Sequence, residues 1–284
     1  MRWESGRRSD NVEDRRGMSV GRGVAGGGIG IVVIALIAMF FGVDPSIVLN
    51  QAGNIAPTEQ SAAPQSRSPE EDKLADFISV VLADTEDTWT TLFRQDGGQY
   101  AKPKLVLFSG AVESACGHAQ AAMGPFYCPA DSKVYLDLSF FNDLAGRHGA
   151  HGDFAQAYVV AHEIGHHVQN LLGIADKVHA SRQRMSEEES NEVQVRMELQ
   201  ADCLAGVWTH HAQKQRQILD QGDIEEALGA AAAVGDDRLQ KQARGYVVPE
   251  SFTHGSSAQR AKWFTAGAKT GDLNACNTFK SRSL

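Results

Sequence analysis

The stretch Asp153-Phe-Ala-Gln-Ala-Tyr-Val-Val-Ala-His162-Glu163-Ile-Gly-His166-His167-Val-Gln-Asn-Leu-Leu-Gly173 decides how this chain is read. Asp153 stands where an N-cap is expected and Gly173 where a helix ends, so the segment predicts one helix of about five turns. On it His162 and His166 lie four apart and project from one face, the spacing two imidazoles need to share a tetrahedral zinc ion. Glu163 stands beside them, placed to take a proton from water that zinc has made acidic. With 10 histidines and 16 glutamates in 284 residues, chance composition yields about 0.02 such His-Glu-x-x-His patterns per chain. That outweighs the plain alternative, a helix whose histidines are merely half-buried. His167, about 100° further round the helix, reads as a neighbour on another face.

Two imidazoles do not hold a catalytic zinc ion; a third protein ligand is needed, with the fourth position left for water. Residues 189–213 read as the next strong helix, with Glu198 and Asp202 four apart on one face. Met197, Leu199, Ala201, Leu204, Ala205 and Val207 flank the pair, which argues against a solvated acidic face. Glu198 is therefore the expected third ligand. Asp202, one turn on, is placed to accept the free N–H of a ligating histidine and fix its tautomer.

Outward from these helices the chain is uneven. Residues 1–23 carry six arginines against four acidic residues, net +2, while the whole chain stands at −8. Residues 24–43 hold no charge, and at about 1.5 Å per residue they reach across a hydrocarbon core of about 30 Å. They read as a transmembrane helix rather than a buried core helix or a cleaved signal peptide. The arginines lie ahead of it, so the positive-inside bias places the N-terminus in the cytoplasm and the rest outside. Residues 44–68, rich in Pro, Gln and Ser, read as a flexible linker. Ser68-Pro69-Glu70-Glu71 is a capping box opening an amphipathic helix through Phe93. Runs Leu105–Phe108 and Val134–Leu138 read as strands, the latter as an edge to which an extended peptide could add. A helix is expected over Ser256–Gly271.

The segments His162-Glu-Ile-Gly-His166-His-Val-Gln and Glu198-Leu-Gln-Ala-Asp202 resemble the gluzincin arrangement of zinc metallopeptidases. Further stretches are Met1-Arg-Trp, Ser9-Asp-Asn-Val-Glu-Asp-Arg-Arg16, Cys116-Gly, Gly124-Pro-Phe-Tyr-Cys-Pro129, Val134-Tyr-Leu-Asp137 and Ser251-Phe-Thr-His-Gly-Ser-Ser-Ala-Gln-Arg260. With them the chain is similar to a bacterial neutral zinc metallopeptidase family over nearly its whole length apart from the linker. The resemblance implies an α+β, zincin-like fold, mostly helical with a small sheet, tethered to a membrane. The expected domain spans 69–284 and carries one Zn2+ per chain on His162, His166 and Glu198. A zincin transition state bears an oxyanion, for which His254 is the first catalytic candidate and Tyr158 the second. The alternative for His254 is a loop histidine that packs locally. Arg260 either meets substrate or anchors its helix to a buried carboxylate, and the second role is favoured.

Four cysteines allow three pairings, of which Cys116–Cys128 with Cys203–Cys276 is preferred, given an oxidising compartment. Against it stand a simply buried Cys203 and a second metal site at Cys116 and His118. The acidic balance argues against wholesale nucleic-acid binding. The leading expectation is a membrane-anchored zinc metalloendopeptidase of the bacterial inner membrane, single-pass, acting on a peptide or protein substrate in the periplasm or outside the cell. Its general base is Glu163. The alternatives are a zinc-stabilised envelope binding or assembly protein with little turnover, and a cell-wall peptide amidase.

Overall fold

The structure, a computed structural model, describes residues 1–18 and 67–284. In chain order its elements are β1 (Val12–Asp14), α1 (Pro69–Gln95), β2 (Lys104–Phe108), β3 (Ala111–Ser114), β4 (Gly117–Gln120), β5 (Phe126–Cys128) and β6 (Lys133–Asp137). Then follow α2 (Phe140–Gly146), α3 (Asp153–Leu171), α4 (Ile174–Arg182), α5 (Glu187–Arg216), α6 (Asp223–Ala233), α7 (Asp236–Arg244) and α8 (Ser257–Thr270). The fold is mostly helical with small sheets, as the α+β reading expects.

Local sequence explains the helix starts. Ser68 and Glu71 form the expected capping box of α1, and Ser186 with Glu189 and Ser256 with Gln259 do the same for α5 and α8. Along α1, Phe77, Ile78, Val81, Leu82, Thr85 and Trp89 are buried at helical spacing, so this face meets the core. Helix α3, which carries His162 and His166, begins differently from expectation. Its N-cap is Gly152 at φ 104°, and Asp153 is the first helical residue. A cap arrives instead from α6, where Glu226 accepts from the Phe154 N–H at 3.0 Å. A side chain on Gly152 would fall on that carboxylate, 1.9 Å away.

The main sheet runs β1-β2-β6-β5, with β1, β2 and β6 parallel and β5 antiparallel to β6; β3 and β4 form a separate hairpin. Leu105, Leu107, Val134 and Leu136 face the helices and join the main core, while Val106, Phe108 and Tyr135 pack with the hairpin. Strand β6 is paired on both sides, so it is not the edge; β5, which follows the Gly- and Cys-containing loop, holds that place. Both preferred disulfides, Cys116–Cys128 and Cys203–Cys276, are formed.

The expected division of the chain is corrected. Residues Met1–Arg16 do not stand apart as an arm but belong to the same compact unit as Arg67–Leu284. Trp3 packs edge-on against Phe77 at 5.3 Å, and β1 pairs with β2 in the register Val12↔Leu105. The physical reason is that the arm's polar residues have buried partners, Glu86 above all, which a composition count cannot see. The span expected over 24–43 and residues 44–66 of the linker expected over 44–68 lie outside the described residues. Among the described residues no helix is long and apolar enough to cross a membrane.

Candidate metal centre

Helices α3 and α5 cross with almost no space between them at Gly165. A Cβ there would lie 2.9 Å from the carbonyl oxygen of Ala201, so only glycine lets the two backbones approach this closely. The crossing brings the middle of α5 against His162 and His166. Glu198 Oε2 lies 3.2 Å from His162 Nε2 and 3.4 Å from His166 Nε2. Two ligands held about 2.05 Å from a tetrahedral zinc ion are themselves about 3.3 Å apart. The Glu198 oxygen thus already stands at that separation from both imidazoles, the three donor atoms all lie within 4.8 Å of one another, and the set of two imidazoles and one carboxylate suits zinc.

Each ligand-type side chain is held from behind. His162 Nδ1 donates to Asp202 Oδ1 at 2.8 Å, and His166 Nδ1 donates to Gln169 Oε1 at 2.9 Å. Both Nε2 atoms are left as lone-pair donors on the Glu198 side. Gln169 is fixed in its turn by donating to Met197 O and Gln200 Oε1. Gln194 donates to the other Glu198 oxygen, Oε1, at 2.9 Å.

Asp202 is fully buried and gathers more than one partner. Arg260 from α8 grips it through two parallel bonds, Nε to Oδ2 at 2.9 Å and Nη2 to Oδ1 at 3.0 Å. The Tyr158 hydroxyl donates to the same carboxylate and accepts from Arg260 Nη2 at 3.2 Å. Arg260 therefore anchors its helix to a buried carboxylate, the favoured of its two expected roles. Tyr158, 1% exposed, is committed to this network and is not placed for an oxyanion. Helix α8 comes close enough because Gly206 and Gly267 leave the α5 and α8 backbones in contact.

The charges around the site follow from these contacts. Burial alone would lower the His162 pKa, but the charge and hydrogen bond of Asp202, with Glu198, raise it to about 9. Glu198 raises His166 against burial in the same way. Burial would raise Glu198, yet His166, His162 and the charge of His254 hold it well below the usual carboxylate range. Asp202 is held at about 2 against burial by Arg260 and His162. A potential that favours protonated imidazoles there is one that also favours a dication.

The other expected residues fall as follows. Glu163 is 8% exposed beside His162 on α3. His254 lies on the loop before α8, its side chain about half exposed at 51%, with its backbone N–H donating to Asp236 Oδ2 at 2.6 Å and Nδ1 3.3 Å from Oδ1. His167 is buried away from the cluster, between Tyr127 Oη and the carbonyl of Ala101. Sequence reading missed Gln169 and Gln194, although their offsets of three and four from His166 and Glu198 were visible helical spacings. It also missed Glu226, for which a separation of 72 residues from Phe154 leaves no local signal.

A His-Glu-x-x-His helix joined by a glutamate from a second helix, each histidine backed by a hydrogen-bond acceptor, is a set of side chains that could hold one metal ion. The chain belongs to the family described as "putative neutral zinc metallopeptidase", whose model matches residues 1–279. It is similar to the uncharacterized protein YpfJ of Escherichia coli K12, 51% identical over 98% of this chain and 99% of that protein. It is also similar to the uncharacterized protein Rv2575 of Mycobacterium tuberculosis, 43% identical over 87% of this chain and 86% of that one. No solved structure matches it.

Proposed function

We propose that this chain is a zinc-dependent metalloendopeptidase with one Zn2+ on His162, His166 and Glu198, and with Glu163 as general base. The observation that carries the reading is the convergence of His162, His166 and Glu198, with the carboxylate 3.2 and 3.4 Å from the two imidazoles, on a helix that also carries Glu163. Zinc in this position supplies Lewis acidity, lowering the pKa of water to about 7 and polarising a carbonyl.

The protein's own groups do the rest. Glu163 takes the proton of the attacking water and later delivers it to the leaving amine. Asp202 and Gln169 keep both imidazoles in the tautomer that presents Nε2, and Arg260 keeps Asp202 ionised. His254, steadied by Asp236, supplies an N–H to the oxyanion. Burial lowers its pKa, but the hydrogen bond to Asp236 and the charges of Glu198 and Asp236 raise it overall, so the ring tends to carry the donor proton. The free edge of β5 accepts an extended peptide, and Tyr127 ties that strand to α3 through His167 and Asn170.

The test is Glu163→Gln beside Glu198→Ala in the full-length chain. Glu163→Gln keeps about one zinc per chain and loses about 10²–10⁴-fold in cleavage of an unfolded protein. Glu198→Ala loses the zinc itself. Undiminished cleavage by the glutamine variant would sink the reading.

A further inference from the structure

The N-terminal residues are built into the unit that carries the metal centre, and this fixes how the chain meets a membrane. Glu86 of α1 is fully buried, and three of its four polar partners come from the arm: Ser9 Oγ at 2.5 Å, Asn11 Nδ2 at 2.8 Å and Arg7 at 2.9 Å; Lys102 is the fourth at 3.1 Å. Without the arm that carboxylate would be a buried charge with one cation left, a costly state. Arg16, 6% exposed, lies between Asp14 and Asp72 at 2.8 and 3.1 Å. Arg8 pairs with Asp76 at 2.6 Å.

The points where the chain leaves this unit and returns to it are in contact. Arg67 donates to the carbonyl of Arg16 at 3.2 Å and pairs with Asp14 at 3.1 Å. One crossing would separate these groups by a hydrocarbon core of about 30 Å. Ends that touch allow only an even number of crossings. Between them the sequence offers one charge-free run long enough to span, 24–43, because 44–66 carries Asp44, Glu59 and three prolines.

We propose that the arm and the metal-bearing unit share one face of the membrane, the oxidising one. The two disulfides assign the face, since such bonds persist outside the reducing cytosol. Arg2, Arg7, Arg8, Arg15 and Arg16 are taken up in intramolecular ion pairs, so their count does not report a cytoplasmic side.

The experiment labels single cysteines added at exposed positions, Glu4→Cys in the arm and Lys177→Cys on α4, in the full-length chain. A membrane-impermeant maleimide is applied to spheroplasts before and after detergent. Equal labelling of both before detergent is expected. Labelling of Lys177→Cys before detergent and of Glu4→Cys only after it would overturn the proposal, restoring a single crossing. Protection of both until detergent would overturn the assignment to the oxidising face. An independent reading comes from Arg8→Cys with Asp76→Cys, bridged by a short bismaleimide in the membrane fraction; failure to bridge means the arm and α1 do not meet.

Discussion

Replacing Arg260 by methionine separates stability from metal binding at this site. The side chain is 4% exposed and its partner Asp202 is fully buried, so the substitution leaves a carboxylate in the interior facing only Tyr158 and His162. Breaking such a pair from one side costs about 3–5 kcal/mol. For a unit of this size each kcal/mol lowers Tm by about 2–4 °C, so a fall of about 6–20 °C is expected by circular dichroism of the zinc-free protein. Replacing both partners, Arg260→Met with Asp202→Leu, removes the stranded charge and recovers much of the loss. The double variant also deprives His162 Nδ1 of its acceptor, and zinc affinity measured against a chelator falls about 10–100-fold. Stability and affinity therefore move in opposite directions between the single and double variants. A single variant melting within 2 °C of the wild type would refute the argument that this pair is a desolvated one.

Three further outcomes are expected. Gly165→Val puts a side chain where a Cβ already lies 2.9 Å from Ala201 O, so the helices part and zinc affinity falls, read by chelator competition; unchanged affinity would show that the crossing does not set the site. Glu13 in β1 has its pKa lowered to about 2 from 4.5, since hydrogen bonds from Arg15, Lys133 and Lys104 outweigh burial. A carboxylate depressed on folding contributes stability that is whole above about pH 4.5 and lost as pH falls through about 2. The gap in urea midpoint between wild type and Glu13→Gln is thus expected to close over that window; a gap constant from pH 6 to pH 2.5 refutes it. Cys203–Cys276 closes a separation of 73 residues and Cys116–Cys128 one of 12. On chain-entropy grounds Cys276→Ser costs about 1.5 kcal/mol more than Cys116→Ser, measured by urea unfolding; equal costs would mean loop length is not the controlling quantity.

Much of this was legible because it is local. The capping boxes at Ser68 and the helical spacing of His162, His166, Glu198 and Asp202 involve residues three or four apart, where the backbone alone fixes direction. What escaped was short or remote. Strand β1 is Val-Glu-Asp, three residues with two charges, and becomes a strand only because β2 offers its free edge. The order β1-β2-β6-β5 places β5 outside β6, a pairing choice that no alternation pattern within one strand encodes. Asp153 reads as an N-cap by type, yet Gly152 takes the position and Glu226 supplies the bond from another helix.

The chemistry on offer was legible in the chain alone: two histidines and a glutamate on one helix, a glutamate and an aspartate on another, and four cysteines. These follow from residue identity and helical period, which need no knowledge of neighbours. Packing settled that Glu198 meets both imidazoles at 3.2 and 3.4 Å, that Arg260 and Tyr158 converge on Asp202, and that the N-terminal arm joins the domain. The physical reason is that each of these depends on how closely two backbones can approach and on which buried charge finds a partner. Those quantities are set by glycine at a crossing, or by a carboxylate such as Glu86, and not by composition or period.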